Sequence, residues 1–179
     1  MPRLFTGLEI PAAVAQALAL KRGALPGSRW IEPSDYHITL RFLGDVEMEV
    51  AEALHEGLAT ARPRAPFGVT LDGLSSFGGD RPRAVLATVA PNADLSDLQA
   101  EHERIARHAG APPEARKFAP HVTLARLRRE ASAKNVARYL GECGLFAPLN
   151  YTVERVVLYS ARESRGGGPY VVEAAYPLG

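Results

Sequence analysis

The sequence predicts an α+β protein made of two similar halves, and two observations lead to this expectation. Segments whose apolar residues alternate with the period of a strand are interspersed with segments that follow the period of a helix. The order strand, helix, strand, helix, strand also occurs twice, with the second series starting at residue 83. We therefore expect a single domain over residues 1–179 with an internal repeat of approximately 1–82 and 83–179.

The first half begins with a short strand and an alanine-rich helix. Pro11 suits the first turn of that helix, and the polar and apolar residues of 36–43 alternate with the period of a half-buried strand. Apolar residues then recur at helical spacing from Val46 to Ala61. The predicted elements are a strand at 3–9, a helix at 11–21, a strand at 36–43, a helix at 46–61 and a strand at 67–74.

The second half repeats this order and adds one strand. Pro120 is tolerated at the first position of a strand, and the residues that follow it alternate in the same way as those after Tyr36. The glycines at 166–168 predict a hairpin tip between the last two strands. The predicted elements are a strand at 83–89, a helix at 94–108, a strand at 121–127, a helix at 131–142 and strands at 151–160 and 170–177.

Charge and composition exclude several classes of protein. Lys and Arg number 21 against 20 Asp and Glu, which gives a net charge of +1 and no overall basic field that could hold a long nucleic acid. A short anionic ligand is compatible with this balance. No apolar run reaches the roughly 18 residues of a membrane span, and the N-terminus lacks a secretory leader pattern. We expect a protein that contacts no membrane.

Cysteine and histidine usage predicts a reducing compartment and no metal site. Cys143 is the one cysteine and cannot form a disulfide within the chain, so we expect a cytoplasmic protein, and a monomer. His55 and His102 each precede a Glu, as in a zinc-protease helix, but neither has the second histidine four residues later. These two and His108 are expected at helix surfaces or caps. No cofactor is expected.

The strongest functional signal is a tetrapeptide that occurs twice. The pattern His-x-Thr-Leu occupies residues 37–40 and, 84 residues later, residues 121–124, at the same place in each half. A single copy would most often mark a half-exposed strand face, where threonine is common. Two matched copies in matching strands indicate a function instead.

The residue types of this motif suit phosphodiester chemistry. Residues i and i+2 of a strand share a face about 6 to 7 Å apart, so His37 lies beside Thr39, and His121 beside Thr123. Displacement at phosphorus needs a base and an acid, and two imidazoles can supply both near neutral pH. Threonine hydroxyls can donate to the non-bridging oxygens. The sequence therefore predicts a metal-independent phosphodiester-cleaving site.

Residues 36–44, YHITLRFLG, and residues 118–126, FAPHVTLAR, closely resemble the two signatures of the 2H phosphoesterase superfamily, and within it the 2′-5′ RNA ligase family of RNA 2′,3′-cyclic phosphodiesterases. The resemblance extends to Trp30 and Tyr170, so it covers nearly the whole chain. It implies a two-lobed, pseudo-twofold duplicated fold, with antiparallel sheets flanked by helices around a central cleft.

The resemblance also implies an activity and its residues. The activity is hydrolysis of an RNA-terminal or nucleoside 2′,3′-cyclic phosphate to a 2′-phosphate, with a minor, reversible 2′-5′ joining of RNA ends. The partners would be RNA 3′ ends or nucleotides that carry the cyclic phosphate. Carried over by position, His37 and His121 are the acid and the base, while Thr39 and Thr123 bind the phosphate. Which histidine is the base stays open, and we favour His121.

Three further residues are candidates for contacts with RNA. Phe42 and Arg126 each stand five residues after a motif histidine, where the family is expected to hold the terminal base between them. Strict alternation would put both on the opposite face, so this requires each strand to end or twist after Leu40 and Leu124; core packing is the alternative for Phe42. Arg41 shares the histidine face by alternation and is a candidate for phosphate or RNA, with a solvated strand residue as the alternative.

Two other functions remain open at this point. The same catalytic set could act on another phosphodiester, such as a 2′-5′ oligonucleotide or an ADP-ribose cyclic phosphate. Alternatively, the cleft could bind a phosphorylated nucleotide without turning it over. The presence of both motif histidines argues against a binding module, because binding alone could use arginines.

Overall fold

A computed structural model of the chain describes residues 1–161 and 168–179, and within them it contains four α-helices and nine strands. The helices are α1 (Ala12–Ala19), α2 (Met48–Ala59), α3 (Ala93–His108) and α4 (Ala133–Glu142). The strands are β1 (Arg3–Glu9), β2 (Ser28–Trp30), β3 (His37–Asp45), β4 (Phe67–Phe77), β5 (Ala84–Val89), β6 (His121–Leu127), β7 (Leu149–Val153), β8 (Arg155–Ser160) and β9 (Val171–Pro177). The α+β prediction is confirmed.

The strands form one sheet with the motif strands at its centre. Their order is β7-β4-β5-β6-β3-β1-β8-β9, with β2 paired to β6, and every pair in the described part of the chain is antiparallel. Outward from the β6–β3 junction, β5 and β1 take equivalent places, then β4 and β8, then β7 and β9. This arrangement is the predicted pseudo-twofold, and the cleft lies at the junction between the two lobes.

The last part of the chain differs from its prediction. Residues 151–160 were expected to form one strand, but they contain parts of two strands that separate at Glu154. β7 pairs with β4 in one lobe and β8 pairs with β1 in the other, so the chain crosses between lobes at this point. β2 was not predicted, because three residues are too few to show a period. Most of the predicted glycine hairpin tip lies outside the described residues.

Each lobe contains strands from both sequence segments. β4 belongs to residues 1–82, yet it pairs with β5 and β7 from the second segment. β1 likewise pairs with β8, and β8 pairs with β9. The interpretation of 1–82 and 83–179 as a repeat within one domain stays a prediction, and neither segment alone supplies a complete lobe.

The core supports the motif strands from behind. Ile38 and Val122 are fully buried, and they pack in the largest cluster with apolar residues of α1 and α3. Helix α3 presents Leu95 and Leu98 to this cluster, and the side chain of Asn92 caps it by accepting a hydrogen bond from the Leu95 N–H. Burial of these side chains fixes β3 and β6 against the helices.

In the described residues, no helix has the length and apolar character that a membrane crossing requires.

Candidate active site

The two copies of the motif meet where β3 and β6 touch. Ile38 pairs with Val122, and continuing this antiparallel register by one residue places His37 across from Thr123 and Thr39 across from His121. The four motif side chains line one cavity of about 60 Å³. The structure therefore brings together all four residues that the motif singled out, while their catalytic roles stay predictions.

Both histidines are held by the same backbone contact. His37 Nδ1 lies 2.9 Å from the carbonyl oxygen of Asp35, and His121 Nδ1 lies 2.7 Å from that of Ala119. A carbonyl only accepts hydrogen bonds, so each Nδ1 carries a proton and donates it. Each Nε2 is therefore the nitrogen left for proton exchange, and that of His37 lies 2.9 Å from Thr39 Oγ1.

The sequence analysis did not anticipate these contacts. Asp35 and Ala119 both stand two residues before a motif histidine, and they too are 84 residues apart. Their side chains differ, because the contact uses only the backbone. Comparison of residue types therefore does not detect these two positions, although their offset of 84 residues equals that of the motif histidines.

The two imidazoles are mainly neutral in the substrate-free protein. Burial lowers the pKa of His37 to about 4, and the charge of Arg126, together with that of His121 whenever it is protonated, acts in the same direction. Burial also lowers the pKa of His121, with Arg126 contributing. Both histidines can therefore accept a proton at neutral pH.

The surroundings of the two histidines differ. Aromatic rings surround His37, with Phe5, Tyr170 and Tyr159 centred 4.9, 5.0 and 5.5 Å away. His121 has the ring of Phe77 edge-on at 4.7 Å. Phe77 was not a candidate in the sequence analysis, because nothing in its local pattern separates it from a strand residue. The site is thus pseudo-symmetric in its motif and asymmetric in its walls.

Two β-bulges decide where the residues after each motif point. On β3, Thr39 pairs with Gly7 and Arg41 pairs with Thr6, so Leu40 has no partner of its own. On β6, Thr123 pairs with Leu86 and Ala125 pairs with Val85, which leaves out Leu124. A bulge places two successive residues on one side of a strand and shifts all that follow. The twist that the sequence analysis required after Leu40 and Leu124 is therefore present.

The bulges bring Phe42 and Arg126 to the motif side. Both line a cavity of about 250 Å³ together with His37 and Thr39. Phe42 is 44% exposed, so it is not a core residue. An aromatic face and a guanidinium plane across one cavity can hold a planar base between them. Their role in binding stays a prediction.

Arg41 requires a correction. The same bulge turns it away from the histidine face, and at 5% exposed it is not a solvated strand residue either. Its Nε donates to Glu103 at 2.5 Å, and its two other nitrogens donate to the carbonyl oxygens of Phe42 and Pro112. Because all three guanidinium nitrogens donate hydrogen bonds within the protein, Arg41 joins β3 to helix α3 and to the loop that follows it. The expected position of Arg41 on the histidine face is therefore wrong, whereas a contact with RNA or phosphate stays a prediction.

The titratable groups of the described residues were also compared with the requirements of a metal site. Among residues 1–161 and 168–179, no three His, Cys, Asp or Glu side chains gather in a metal-binding arrangement.

His102, expected at a helix surface, is instead 3% exposed, and its Nδ1 lies 2.8 Å from Thr6 Oγ1. His102 stands four residues after Leu98, on the face of α3 that is buried, and it lies there beside Thr6 of β1.

Comparison with known proteins identifies the relatives of this chain. A family profile described as the 2′-5′ RNA ligase superfamily matches residues 10–165. An RNA 2′,3′-cyclic phosphodiesterase of Aeropyrum pernix is 40% identical over 116 residues, which are 64% of this chain and 65% of that protein. One of Geobacillus stearothermophilus is 35% identical over 180 residues, covering 97% of this chain and 56% of that protein. The chain thus spans less than two thirds of the length of these two relatives.

A solved structure agrees with the fold over the whole chain. The crystal structure of E. coli LigT complexed with 3′-AMP superposes with a TM-score of 0.79 at 25% sequence identity. The match covers 99% of this chain and 98% of that one. The two-lobed arrangement is therefore shared along the full length, and the motif strands lie at its centre.

Proposed function

Because the chain belongs to the 2′-5′ RNA ligase superfamily, we propose that it hydrolyses 2′,3′-cyclic phosphates at RNA 3′ ends to 2′-phosphates. One observation carries the proposal: two imidazoles and two threonine hydroxyls converge on a cavity of about 60 Å³ from the two sides of a pseudo-twofold junction. Such an arrangement supports a mechanism in which one imidazole acts as base and the other as acid on opposite sides of a phosphorus atom. The names of the two relatives described above support the same activity.

The reaction is a displacement at phosphorus in which every proton has a carrier. The base removes a proton from water as the water oxygen attacks phosphorus. The bond between phosphorus and O3′ breaks, and the acid gives its proton to the departing O3′, leaving a 2′-phosphate and a free 3′-hydroxyl. Acid and base catalysis of this kind contributes about 10²- to 10⁴-fold in rate for each group.

We assign the base to His121 and the acid to His37. The three aromatic rings around His37 exclude water on its side, which favours delivery of its proton to O3′ over exchange with solvent. The phosphate anion of the substrate favours the protonated imidazole and opposes the effect of burial on the pKa of His37. Binding of the substrate thus creates the acid that the reaction needs.

The other residues of the cleft stabilise charge and hold the base. Hydroxyls of Thr39 and Thr123 donate to the non-bridging oxygens, whose negative charge grows in the transition state, an effect worth about 10²- to 10³-fold per donor. Phe42 and Arg126 hold the terminal base by stacking, which is tolerant of base identity. We expect little preference among the four terminal nucleotides.

The same groups can also serve the joining of two RNA ends. If the 5′-hydroxyl of a second RNA replaces water, its attack on the cyclic phosphate with departure of O3′ forms a 2′-5′ linkage. Water is present at a much higher concentration, so hydrolysis is the dominant outcome.

We further propose a cytoplasmic monomer, since the four motif side chains of one chain line a common cavity and Cys143 has no partner cysteine.

The test is to incubate the protein with an RNA that ends in a 2′,3′-cyclic phosphate, in excess EDTA, and to identify the product by chromatography. We expect a 2′-phosphate, and we expect His37→Ala and His121→Ala each to lower kcat/KM by about 10²- to 10⁴-fold. His108→Ala, an exposed histidine of α3, is the matched control. Thermal melting verifies that each variant is folded.

Other outcomes would point to the alternative functions. A 3′-phosphate product would keep the two-histidine chemistry but reverse the leaving group. Turnover of 2′-5′ oligonucleotides without turnover of cyclic phosphates would show that the same catalytic residues act on a different phosphodiester. Nucleotide binding by calorimetry without any product would identify a binding module and refute the enzyme.

A further inference from the structure

A third cavity, of about 540 Å³, opens beside His121 and extends away from the motif centre. One wall is the segment that leads into β6, with Arg116, Lys117 and Phe118, and the other is the β4–β5 hairpin, with Phe77 and Arg83. We call these five residues the side groove. Phe42 and Arg126 also line this cavity, so the groove is continuous with the proposed site of the terminal base, and the buried Arg41 forms part of its floor.

The side groove carries a local excess of positive charge. The chain as a whole has a net charge of +1, but Arg83, Arg116 and Lys117 all lie here with exposed side chains. One carboxylate, that of Glu114, also lines the cavity, and it is bound to the guanidinium of Arg116 at 3.2 Å. The cations in excess of this pair can contact a phosphodiester.

The side groove also presents an aromatic face. Phe77 is 38% exposed, although a ring of this size is usually buried. Its edge-on contact with His121, at an interplanar angle of 81°, holds it next to the proposed base. An exposed ring beside cations is the combination that binds single-stranded nucleic acid, with bases on the ring and phosphates on the cations.

The hairpin holds the aromatic and the cationic residue in a defined relation. The backbone N–H of Arg83 donates to the Phe77 carbonyl at 2.7 Å and closes the hairpin. Gly78 has a φ of +106°, and a Cβ there would come within 2.3 Å of the Arg81 carbonyl oxygen, so glycine is required at this turn. Phe77 and Arg83 therefore form a preformed surface.

We propose that the side groove binds the nucleotide that precedes the one carrying the cyclic phosphate, so that the substrate is an RNA oligonucleotide in preference to a nucleoside 2′,3′-cyclic phosphate. This inference rests on the proposed function. The cavity of about 250 Å³ beside Phe42 holds the terminal nucleoside. The side groove then receives the penultimate base on Phe77 and the linking phosphate on Arg83 and Lys117.

The experiment compares kcat/KM for adenosine 2′,3′-cyclic phosphate with kcat/KM for a dinucleotide and a trinucleotide that end in the same group. We expect the wild type to prefer the oligonucleotides by about tenfold or more, the equivalent of one stacked base. In Arg83→Gln this ratio falls, and the slope of log kcat/KM against log salt for the trinucleotide decreases by about 0.7.

A second variant tests the aromatic half of the groove. With Phe77→Leu, kcat/KM becomes insensitive to replacement of the penultimate base by an abasic site, whereas the wild type loses about tenfold on that replacement. Arg104→Gln, an exposed arginine of α3 outside the cavities around the motif, is the matched control and keeps the wild-type ratio. Thermal melting confirms that the variants are folded.

The outcomes separate the two proposals. Equal kcat/KM for the nucleoside and the oligonucleotides in the wild type overturns the side groove while leaving the proposed function intact. An unchanged ratio in both Arg83→Gln and Phe77→Leu also overturns it. Failure to hydrolyse any cyclic phosphate overturns the proposed function, and the inference that depends on it falls at the same time.

Discussion

At the scale of single residues, chemistry depends on how the surroundings change ordinary side chains. His37 and His121 have the same sequence context and the same Nδ1 contact, yet their walls differ, and burial affects His37 more. Arg41 and Arg126 show the same effect of surroundings on one residue type. Both follow a copy of the motif, but Arg41 is buried in ion pairs and hydrogen bonds, whereas Arg126 lines the cavity beside His37.

The pH profile is a prediction at this scale. Catalysis needs one imidazole neutral and the other protonated, so kcat/KM is highest between the two pKa values of the free protein. Burial lowers the pKa of His37 to about 4 and that of His121 below its usual value of about 6.5. We expect kcat/KM to peak below pH 6.5 and to fall about tenfold per pH unit on the alkaline side.

Arg126→Gln tests the cause of this profile. Arg126 lowers the pKa of both histidines by its charge, so removing that charge should move the alkaline limb of kcat/KM to higher pH, whatever the loss in overall rate. A profile that stays flat up to pH 8 in the wild type would contradict the assignment of both roles to histidines.

At the scale of elements, the bulges are the feature that turns two strands into a binding site. Leu40 and Leu124 are the residues left out of the pairing, and both belong to the repeated His-x-Thr-Leu pattern. The fourth position of the motif is therefore the position of the bulge. The bulge resets the alternation so that the side chains at the fifth position after each histidine return to the cleft.

Gly7→Ala is a prediction for the contact between β1 and β3. A Cβ at Gly7 would lie 2.7 Å from the carbonyl oxygen of Ile38, between the two motif residues of β3. Because that neighbour is backbone, the strands must separate, which we expect to cost about 1–3 kcal/mol in the free energy of unfolding. Displacement of His37 and Thr39 should lower kcat/KM more than tenfold, since misplacement by about 1 Å can cost 10²-fold.

The control for this variant is Gly68→Ala on β4, where an added Cβ meets nothing within 4 Å. Its melting temperature and kcat/KM should remain close to those of the wild type. If Gly7→Ala behaves in the same way as Gly68→Ala in both measurements, the close approach of β1 does not position the motif.

At the scale of the whole molecule, buried histidines make folding sensitive to acid. His102 lies at the interface of α3 and β1, and burial, with the charge of Arg64, lowers its pKa to about 4. The pKa of His37 is also about 4. Between pH 6.5 and 4, the unfolded chain protonates these histidines while the folded protein does not, so the free energy of unfolding falls as the pH is lowered through this range.

His102→Gln is the prediction that follows. Urea unfolding at a series of pH values should show a smaller loss of unfolding free energy between pH 6.5 and 4 than in the wild type, because the contribution of His102 is gone. His108→Gln, exposed on the same helix, is the control. A pH dependence that is the same in His102→Gln and in the wild type would show that His102 does not remain neutral in the folded protein.

Much of this protein is determined by local sequence pattern. The period of apolar residues predicts all four helices and most of the strands, because burial of one face requires that spacing. The repeated motif predicts that His37, Thr39, His121 and Thr123 act together, and the pseudo-twofold order of strands explains how they meet. The signature residues 36–44 and 118–126 identify the family before any coordinates are considered.

Only the tertiary structure decides the rest, because it depends on pairing between distant segments. The bulges arise where β3 meets β1 and where β6 meets β5, and they reverse the expected positions of Arg41 and Phe42. The division of residues 149–160 between two lobes follows from the different partners of β7 and β8. Alternation within one strand contains no information about register with another, so these features cannot be read from the local pattern.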